Sequence, residues 1–173
     1  MIFNSQSGIT DPTRAADWAQ WYFEHLRIMA TVPGVFSAQR FTTTHAGHPP
    51  SLAVYGVASA EVFKGEYYQS VRGMGEWLPL IDRQWYRRNL FDGLARAPEV
   101  NDDQVLLVAD RDAPDAALPL PFIWLKVAGI DRSTPYRGMA VVGKNALPAL
   151  PADVAIYTPA SKRYVNLKEE INP

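Results

Sequence analysis

The segment from residue 11 to residue 34 constrains the fold most, because it carries both end signals and one apolar face of a helix. Asp11 is a favourable N-cap, and Pro12 already has the φ angle that the first helical position needs. Pro33 and Gly34 mark the end of the helix. Between them, aromatic and apolar residues and one histidine recur at three- and four-residue spacing and share one face: Trp18, Trp21, Tyr22, His25, Ile28 and Met29. Such a face has to pack against other elements of a core.

Strands are predicted on both sides of this helix. Residues 2–3 form a short first strand, and residues 35–43 and 51–57 form a hairpin around a Gly- and Pro-rich turn. Ser59 is a candidate cap of a second helix, and residues 84–91 are a fourth strand. The resulting order, strand, helix, strand, strand, helix, strand, is typical of an α+β, ferredoxin-like split βαβ domain.

The last third of the chain has a different pattern, in which short strands are separated by proline and glycine and no helical pattern follows residue 97. These strands are residues 105–109, 122–127, 139–142, 154–157 and 163–167. The sequence therefore predicts a ferredoxin-like domain over residues 1–97 and a β-rich extension over residues 98–173. The extension either prolongs the first sheet or forms a degenerate second half packed on the same sheet.

Composition excludes several classes of protein. Hydrophobic residues make up 47% of the 173-residue chain, which is enough for a core, and a net charge of -1 gives no basic field to attract nucleic acid. No apolar run is long enough to span a bilayer, and the first residues lack the pattern of a signal peptide. Because the chain has no cysteine, disulfide, thiolate and Cys-zinc chemistry are excluded. The three histidines, His25, His45 and His48, do not predict a metal site. The cytoplasm is the default location of the protein.

Four short motifs in the first half of the chain resemble the dimeric α/β-barrel superfamily, and the EthD-like group is the nearest in pattern. They are WYFEHL at 21–26, VPGV at 32–35, SAQRF at 37–41 and LAVY at 52–55. The resemblance implies a homodimer in which two sheets join across the dimer axis. It also implies relatives among cofactor-independent monooxygenases, polyketide cyclases, lactone isomerases, dehydratases and haem-degrading enzymes. The sequence departs from the family pattern at Arg27, where a proline is common.

A separate argument also favours the homodimer. A lone four-stranded sheet would leave one apolar face uncovered, and a second copy of the chain would bury it. The alternative is that the extension covers this face within a single chain, which would give a monomer.

Three residues are candidates for catalysis. His25 lies in the middle of the apolar helix face, where partial burial lowers the pKa of an imidazole and favours the neutral form that a general base requires. Arg40 and Tyr55 lie on the two hairpin strands, where a guanidinium group and a phenol can stabilise a developing oxyanion. The alternatives are a hydrogen-bonded core histidine, an arginine in an ion pair at a strand edge or dimer interface, and a half-buried tyrosine.

Aromatic residues near these three candidates predict a pocket for an apolar or aromatic molecule. The candidate binding residues are Trp18, Trp21, Tyr22, Tyr68, Met74 and Trp77. Met74 and Trp77 lie in a segment with two glycines and a proline, which is typical either of a mobile cover over a cavity or of an irregular helix end packed on the core. Tyr67 is expected in the core and Tyr68 at the mouth of the pocket.

The leading functional hypothesis is a cofactor-independent enzyme that acts on a small aromatic, polyketide-like or cyclic unsaturated substrate. Proton transfer by His25 would drive an isomerisation, cyclisation, dehydration or oxygenation, with Tyr55 or Arg40 stabilising the oxyanion. The second hypothesis is a non-catalytic binding or accessory protein that holds a small apolar ligand in the same pocket. Haem binding with His25 as axial ligand is the third. The first two need no cofactor and no metal, and neither nucleic acid nor a membrane is expected as a partner.

Overall fold

Eight antiparallel strands close into a barrel in this computed structural model, which describes residues 1–170. The strands are β1 (Ile2–Ser7), β2 (Val35–Thr42), β3 (Ser51–Val57), β4 (Arg87–Asp92), β5 (Gln104–Arg111), β6 (Ile123–Ile130), β7 (Tyr136–Gly143) and β8 (Val154–Pro159). Their order around the barrel is β3, β1, β4, β6, β7, β5, β8, β2, and the pairing of β2 with β3 closes it. A short ninth strand, β9 (Tyr164–Val165), also pairs with β2, and the helices are α1 (Ala15–Met29), α2 (Glu66–Val71) and α3 (Leu167–Glu170).

The prediction of an α+β, ferredoxin-like domain of the dimeric α/β-barrel superfamily, EthD-like group, is wrong. The chain does begin with the expected order of strands and helices, but β4 pairs with β6 and β2 pairs with β8. The first four strands are therefore half of a closed barrel instead of a separate sheet. In the described chain, α1 is also the only α-helix of more than six residues, so the fold is predominantly β.

The two segments divided at residue 97 contribute four barrel strands each. The sheet face that was expected to pair with a second copy lines the interior of this barrel, where it is covered by strands of the same chain. The domain boundary and the homodimer stay predictions. The uncovered sheet face no longer supports a homodimer, because the barrel itself covers that face. Within residues 1–170, no helix is both long enough and apolar enough to cross a membrane.

The barrel interior is mostly apolar, with one buried charge. Six of its large apolar residues are at most 1% exposed: Ile2, Phe41, Leu52, Phe91, Leu106 and Leu125. Arg137 is 0% exposed, and its Nε and Nη2 donate to the Asp110 carboxylate at 2.8 and 2.7 Å. Its Nη1 and Nη2 also donate to the side-chain oxygens of Asn4 and Gln6 at 3.0 and 2.9 Å. The buried guanidinium group is thus paired and hydrogen-bonded, as a charge in an interior must be.

Helix α1 lies between the start and stop residues that the sequence predicts. A 3-10 turn (Pro12–Arg14) precedes it, and the Asp11 carboxylate accepts the backbone N–H of Thr13 at 3.0 Å. After the helix, Gly34 has a φ of 79°, a left-handed conformation that glycine adopts without strain. The chain then turns back along the barrel into β2.

The buried face of α1 differs slightly from the predicted one. Four residues of the helix are buried: Trp18, Tyr22, Leu26 and Met29. Ile28, which was expected on this face, is 43% exposed, and Leu26 takes its place at 0% exposure. Trp21 and His25 lie at the edge of the face and are half-buried. This position allows His25 to border a cavity instead of being enclosed in the core.

The barrel face below α1 has a row of two small side chains between two arginines. The strand register aligns Arg40 on β2 with Ala53 on β3. Ala53 in turn pairs with Ser5 on β1, and Ser5 pairs with Arg88 on β4. Because paired residues of neighbouring strands share a face, both arginines lie on the α1 side of the barrel. The short side chains of Ala53 and Ser5 leave room above the sheet for larger groups from α1.

The second predicted helix is broken into short pieces. Ser59 caps a 3-10 turn (Ala60–Lys64) with its hydroxyl oxygen, the six-residue α2 follows, and a second 3-10 turn (Gly75–Leu80) comes after it. The expectation that Tyr67 lies in the core is wrong, since it is 46% exposed, whereas Tyr68 is 7% exposed. Helix α2 is only six residues long, and it turns Tyr68 instead of Tyr67 towards the barrel.

Candidate functional site

A small cavity lies between α1, the chain around α2 and the outer face of β1, β3 and β4. Its walls include Ser5 from β1, His25 from α1, Tyr55 from β3 and Arg88 from β4. Its volume is about 30 Å³. A space of this size holds about two water molecules. The cavity in this conformation therefore fits only a very small chemical group.

His25 reaches the cavity from the edge of α1. Its ring stacks on Trp21 with centroids 4.9 Å apart and planes 9° apart, and it meets the edge of Tyr22 at 6.1 Å. Burial lowers the pKa of His25 from 6.5 to about 4, because the cationic form loses its hydration. The imidazole is therefore neutral at physiological pH, and one of its ring nitrogens can accept a proton.

Tyrosine hydroxyls form a second group of polar atoms in the cavity. Tyr55 is 2% exposed and stacks on Phe3 with centroids 5.3 Å apart, and burial raises its pKa well above the ordinary value. Tyr68 and Tyr86 also line the cavity, and burial raises the pKa of each. None of the hydrogen bonds among the described residues uses these three hydroxyls. Each one keeps its proton and can donate a hydrogen bond to a ligand.

Arg72 and Arg88 give the cavity a positive lining. Arg88 Nη2 lies 3.6 Å from Asp131 Oδ1, and Arg88 Nε is buried without a hydrogen-bond partner among residues 1–170. No aspartate or glutamate of the described chain lines the cavity. The local field therefore favours a ligand that carries negative charge or develops it during a reaction.

Arg40 lies beside the cavity but does not line it. It is 4% exposed, and its Nε donates to Ser51 Oγ at 3.0 Å. Its guanidinium carbon lies 4.7 Å from the Trp18 ring centroid and 4.6 Å from that of Tyr22, so two aromatic faces stabilise the charge. It forms no salt bridge with any described residue of the chain, so an ion pair at a dimer interface stays the untested alternative for Arg40. Its charge opposes the effect of burial on the pKa values of Tyr22 and Tyr55.

The cavity brings together some of the predicted residues and leaves others outside. His25, Tyr55, Tyr22, Tyr68 and Met74 line it. The three tryptophans do not line it. Trp18 lies against Arg40, Trp21 lies against the outer side of the His25 ring, and Trp77 is 3% exposed with its ring 6.5 Å from that of Trp21. The contribution of each residue to ligand binding stays a prediction.

The structure adds four polar lining residues that the sequence did not indicate for this site: Ser5, Arg72, Tyr86 and Arg88. Alternation along β4 contained a signal for Arg88. Leu90 is 2% exposed and packs in the same core as α1, so Arg88, two residues earlier, points to the same side. Tyr86 lies just before β4 and packs against the same core. Ser5 and Arg72 had no comparable signal in the sequence.

No family model matches the sequence, and no curated protein and no solved structure matches it either. Among residues 1–170, no group of three or more histidine, aspartate or glutamate side chains is arranged to hold a metal ion.

Proposed function

We propose that this protein is an enzyme that moves a proton on a small aromatic or unsaturated carbonyl compound, without a cofactor and with His25 as the base. One observation carries the proposal. A neutral imidazole, four tyrosines and two arginines line one cavity, and no carboxylate lines it within the described chain. Removal of a proton next to a carbonyl group needs this combination, which is a base for the proton and hydrogen-bond donors for the oxygen.

The proposed step uses three of these groups. The carbonyl oxygen of the substrate lies near the Tyr55 hydroxyl and the Arg88 guanidinium group. A neutral ring nitrogen of His25 takes a proton from the carbon next to the carbonyl, and the C–H electron pair moves into an enolate whose oxygen the two donors stabilise. The imidazolium then returns its proton to another carbon in an isomerisation, or to a departing hydroxyl in a dehydration. The balance of atoms and electrons requires no oxidant.

A substrate of more than a few atoms requires part of the wall to move, because the cavity measures only about 30 Å³. We assign this role to the wall segment around Met74. Gly73 and Gly75, on either side of it, have φ angles of 99° and 51°, and glycine changes such angles at low cost. Met74 is 6% exposed and lines the cavity, so its displacement enlarges the space next to His25.

Hydrogen–deuterium exchange on a simple ketone tests the proposal. The hydrogens next to the carbonyl of 4-phenylbutan-2-one exchange slowly in neutral D₂O, and proton NMR follows their loss. We expect the protein to accelerate this exchange, and we expect His25→Gln to reduce the catalysed rate by at least about 100-fold. His45→Gln is the matched control, because His45 is exposed on the turn before β3. A catalysed rate that survives His25→Gln would contradict the proposal.

A binding protein without catalysis is the second candidate, and the pKa of His25 favours it. A base transfers protons most efficiently when its pKa is close to the working pH, and a pKa of about 4 makes His25 a weak base. In this case 4-phenylbutan-2-one would shift the NMR signals of His25 and Trp21 on binding, while its hydrogens would exchange at the uncatalysed rate. The same NMR samples therefore distinguish an enzyme from a binding protein without catalysis.

We propose the cytoplasm as the location, since a chain without cysteine gains nothing from an oxidising compartment. The proposed partner is the small molecule itself. A homodimer remains the other proposed association, and light scattering on the purified protein tests it.

A further inference from the structure

An apolar groove adjoins the cavity on the outer side of Tyr86. It is formed by Leu78, Ile81, Arg83 and Tyr86 and has a volume of about 350 Å³, against about 30 Å³ for the cavity. Leu78 is 60% exposed, whereas Ile81 is 5% exposed and forms the base of the groove. Tyr86 lines both spaces. The groove and the cavity therefore share Tyr86 as a common wall residue.

Hydrogen bonds hold the backbone around Tyr86 in place, whereas the Tyr86 hydroxyl is not held in this way. The N–H of Asp82 donates to the carbonyl of Gly8 at 2.8 Å, and the N–H of Tyr86 donates to the carbonyl of Asp82 at 3.2 Å. The Tyr86 hydroxyl takes part in no hydrogen bond among the described residues. Its ring lies beside Arg88, whose guanidinium carbon is 5.7 Å from the ring centroid. Rotation of the Tyr86 side chain therefore breaks no hydrogen bond within the described chain and leaves the strand in place.

We infer that the cavity and the groove are two compartments of one binding site, which the side chain of Tyr86 separates. This inference rests on the proposed function and names the substrate class. The substrate has a ketone or enol head, which enters the polar cavity next to His25. It also has an apolar tail the size of an aromatic ring or a short alkyl chain, which lies in the groove against Leu78 and Ile81.

The sizes of the two spaces support this division. Pockets for small ligands usually measure about 300–1,000 Å³ and are mostly apolar with a few polar groups at one end. The cavity alone, at about 30 Å³, is far below this range, whereas the groove, at about 350 Å³, is within it. Most of the polar side chains of the joined site line the cavity, whereas the groove has the apolar Leu78 and Ile81 and one charged residue, Arg83. A ligand with one polar and one apolar end matches this arrangement.

Two ketones with the same head and different tails test the inference. Acetone is the head alone, and 4-phenylbutan-2-one carries the same methyl ketone on a phenyl tail. The measured quantity is the His25-dependent rate constant per protein for deuterium exchange at the methyl group that both ketones share. We expect the rate constant for 4-phenylbutan-2-one to exceed that for acetone by at least about tenfold, the factor that corresponds to partial burial of one ring.

The variant Leu78→Ser tests whether the groove causes the preference for 4-phenylbutan-2-one over acetone. It shortens an exposed side chain, so the fold is expected to tolerate it. We expect it to lower the rate constant for 4-phenylbutan-2-one by about five- to tenfold and to leave that for acetone unchanged. Ile123→Ser is the matched control, since Ile123 is 49% exposed on β6, and it should change neither value. Tyr86→Ala, which removes the ring between the two spaces, should raise the rate constant for 4-phenylbutan-2-one relative to that for acetone.

The outcomes separate this inference from the function on which it rests. Equal rate constants for the two ketones, or an equal loss for both in Leu78→Ser, would overturn the two-compartment site and leave the proposed function standing. If neither ketone shows exchange that depends on His25, the proposed function fails, and this inference fails with it. Circular dichroism of each variant confirms that the compared proteins are folded.

Discussion

Replacing His25 with glutamine changes how the stability of the protein depends on pH, because it removes a group whose pKa differs between the folded and the unfolded chain. The pKa of His25 is lowered from an ordinary value of 6.5 to about 4 in the folded protein. Between these two values the unfolded chain binds a proton more readily, so the folded state loses stability as the pH falls. The full difference corresponds to about 3 kcal/mol, which is present above pH 6.5 and lost once the pH has reached about 4.

Urea unfolding of the wild-type protein and of His25→Gln, followed by tryptophan fluorescence from about pH 7.5 to about pH 4, measures this effect. The carboxylates titrate in both proteins and cancel in the comparison. We expect the free energy of unfolding of the wild-type protein to fall by about 3 kcal/mol more than that of the variant over this pH range. His45→Gln should follow the wild-type curve, since His45 is exposed. Parallel curves for wild type and His25→Gln would refute the argument that the fold buries a neutral imidazole.

Two further predictions concern groups on either face of the barrel wall. The Tyr55 hydroxyl has no hydrogen-bond partner in the described chain, so Tyr55→Phe should change the free energy of unfolding by less than about 1 kcal/mol and lower the catalysed exchange at least about tenfold. An unchanged exchange rate would remove Tyr55 from the mechanism. Inside the barrel, Arg137→Met leaves the buried side-chain oxygens of Asn4 and Gln6 without their arginine donor and should cost at least about 2 kcal/mol in urea unfolding. Glu61→Gln, which breaks the exposed pair with Lys64, should cost less than about 1 kcal/mol, and equal costs for the two variants would contradict this difference.

The individual elements could be predicted from the sequence, but the closure of the barrel could not. The sequence pattern predicted β3 at Ser51–Val57 and strands that overlap β5 to β8, since each depends only on neighbours along the chain. Closure depends on distant pairs, such as Phe91 with Val127 and Phe41 with Pro159. A strand can pair with any other strand of suitable pattern, so local periodicity does not indicate its neighbour. The short motifs of the first half therefore suggested a separate sheet, whereas the first four strands form half of a barrel.

The candidate site shows the same limit at the level of side chains. His25 and Tyr22 could be predicted because the helical period places them on or beside the buried face of α1. Arg40 was predicted to stabilise an oxyanion, and this role stays a prediction; the sequence did not indicate that Trp18 and Tyr22 pack against its guanidinium group. Arg88 comes from a strand much later in the chain, and only the register of β1 with β4 brings it opposite Ser5.

A direct measurement of the pKa of His25 tests the central claim, which is that α1 presents a neutral imidazole to a ligand cavity. The chain has three histidines, so carbon-13 labelling of histidine gives few signals, and His25→Gln identifies the one that belongs to His25. We expect an NMR titration midpoint of about 4 for this signal, and a shift of the signal when 4-phenylbutan-2-one is added at neutral pH. A midpoint close to 6.5, the ordinary value of a hydrated imidazole, would contradict the account.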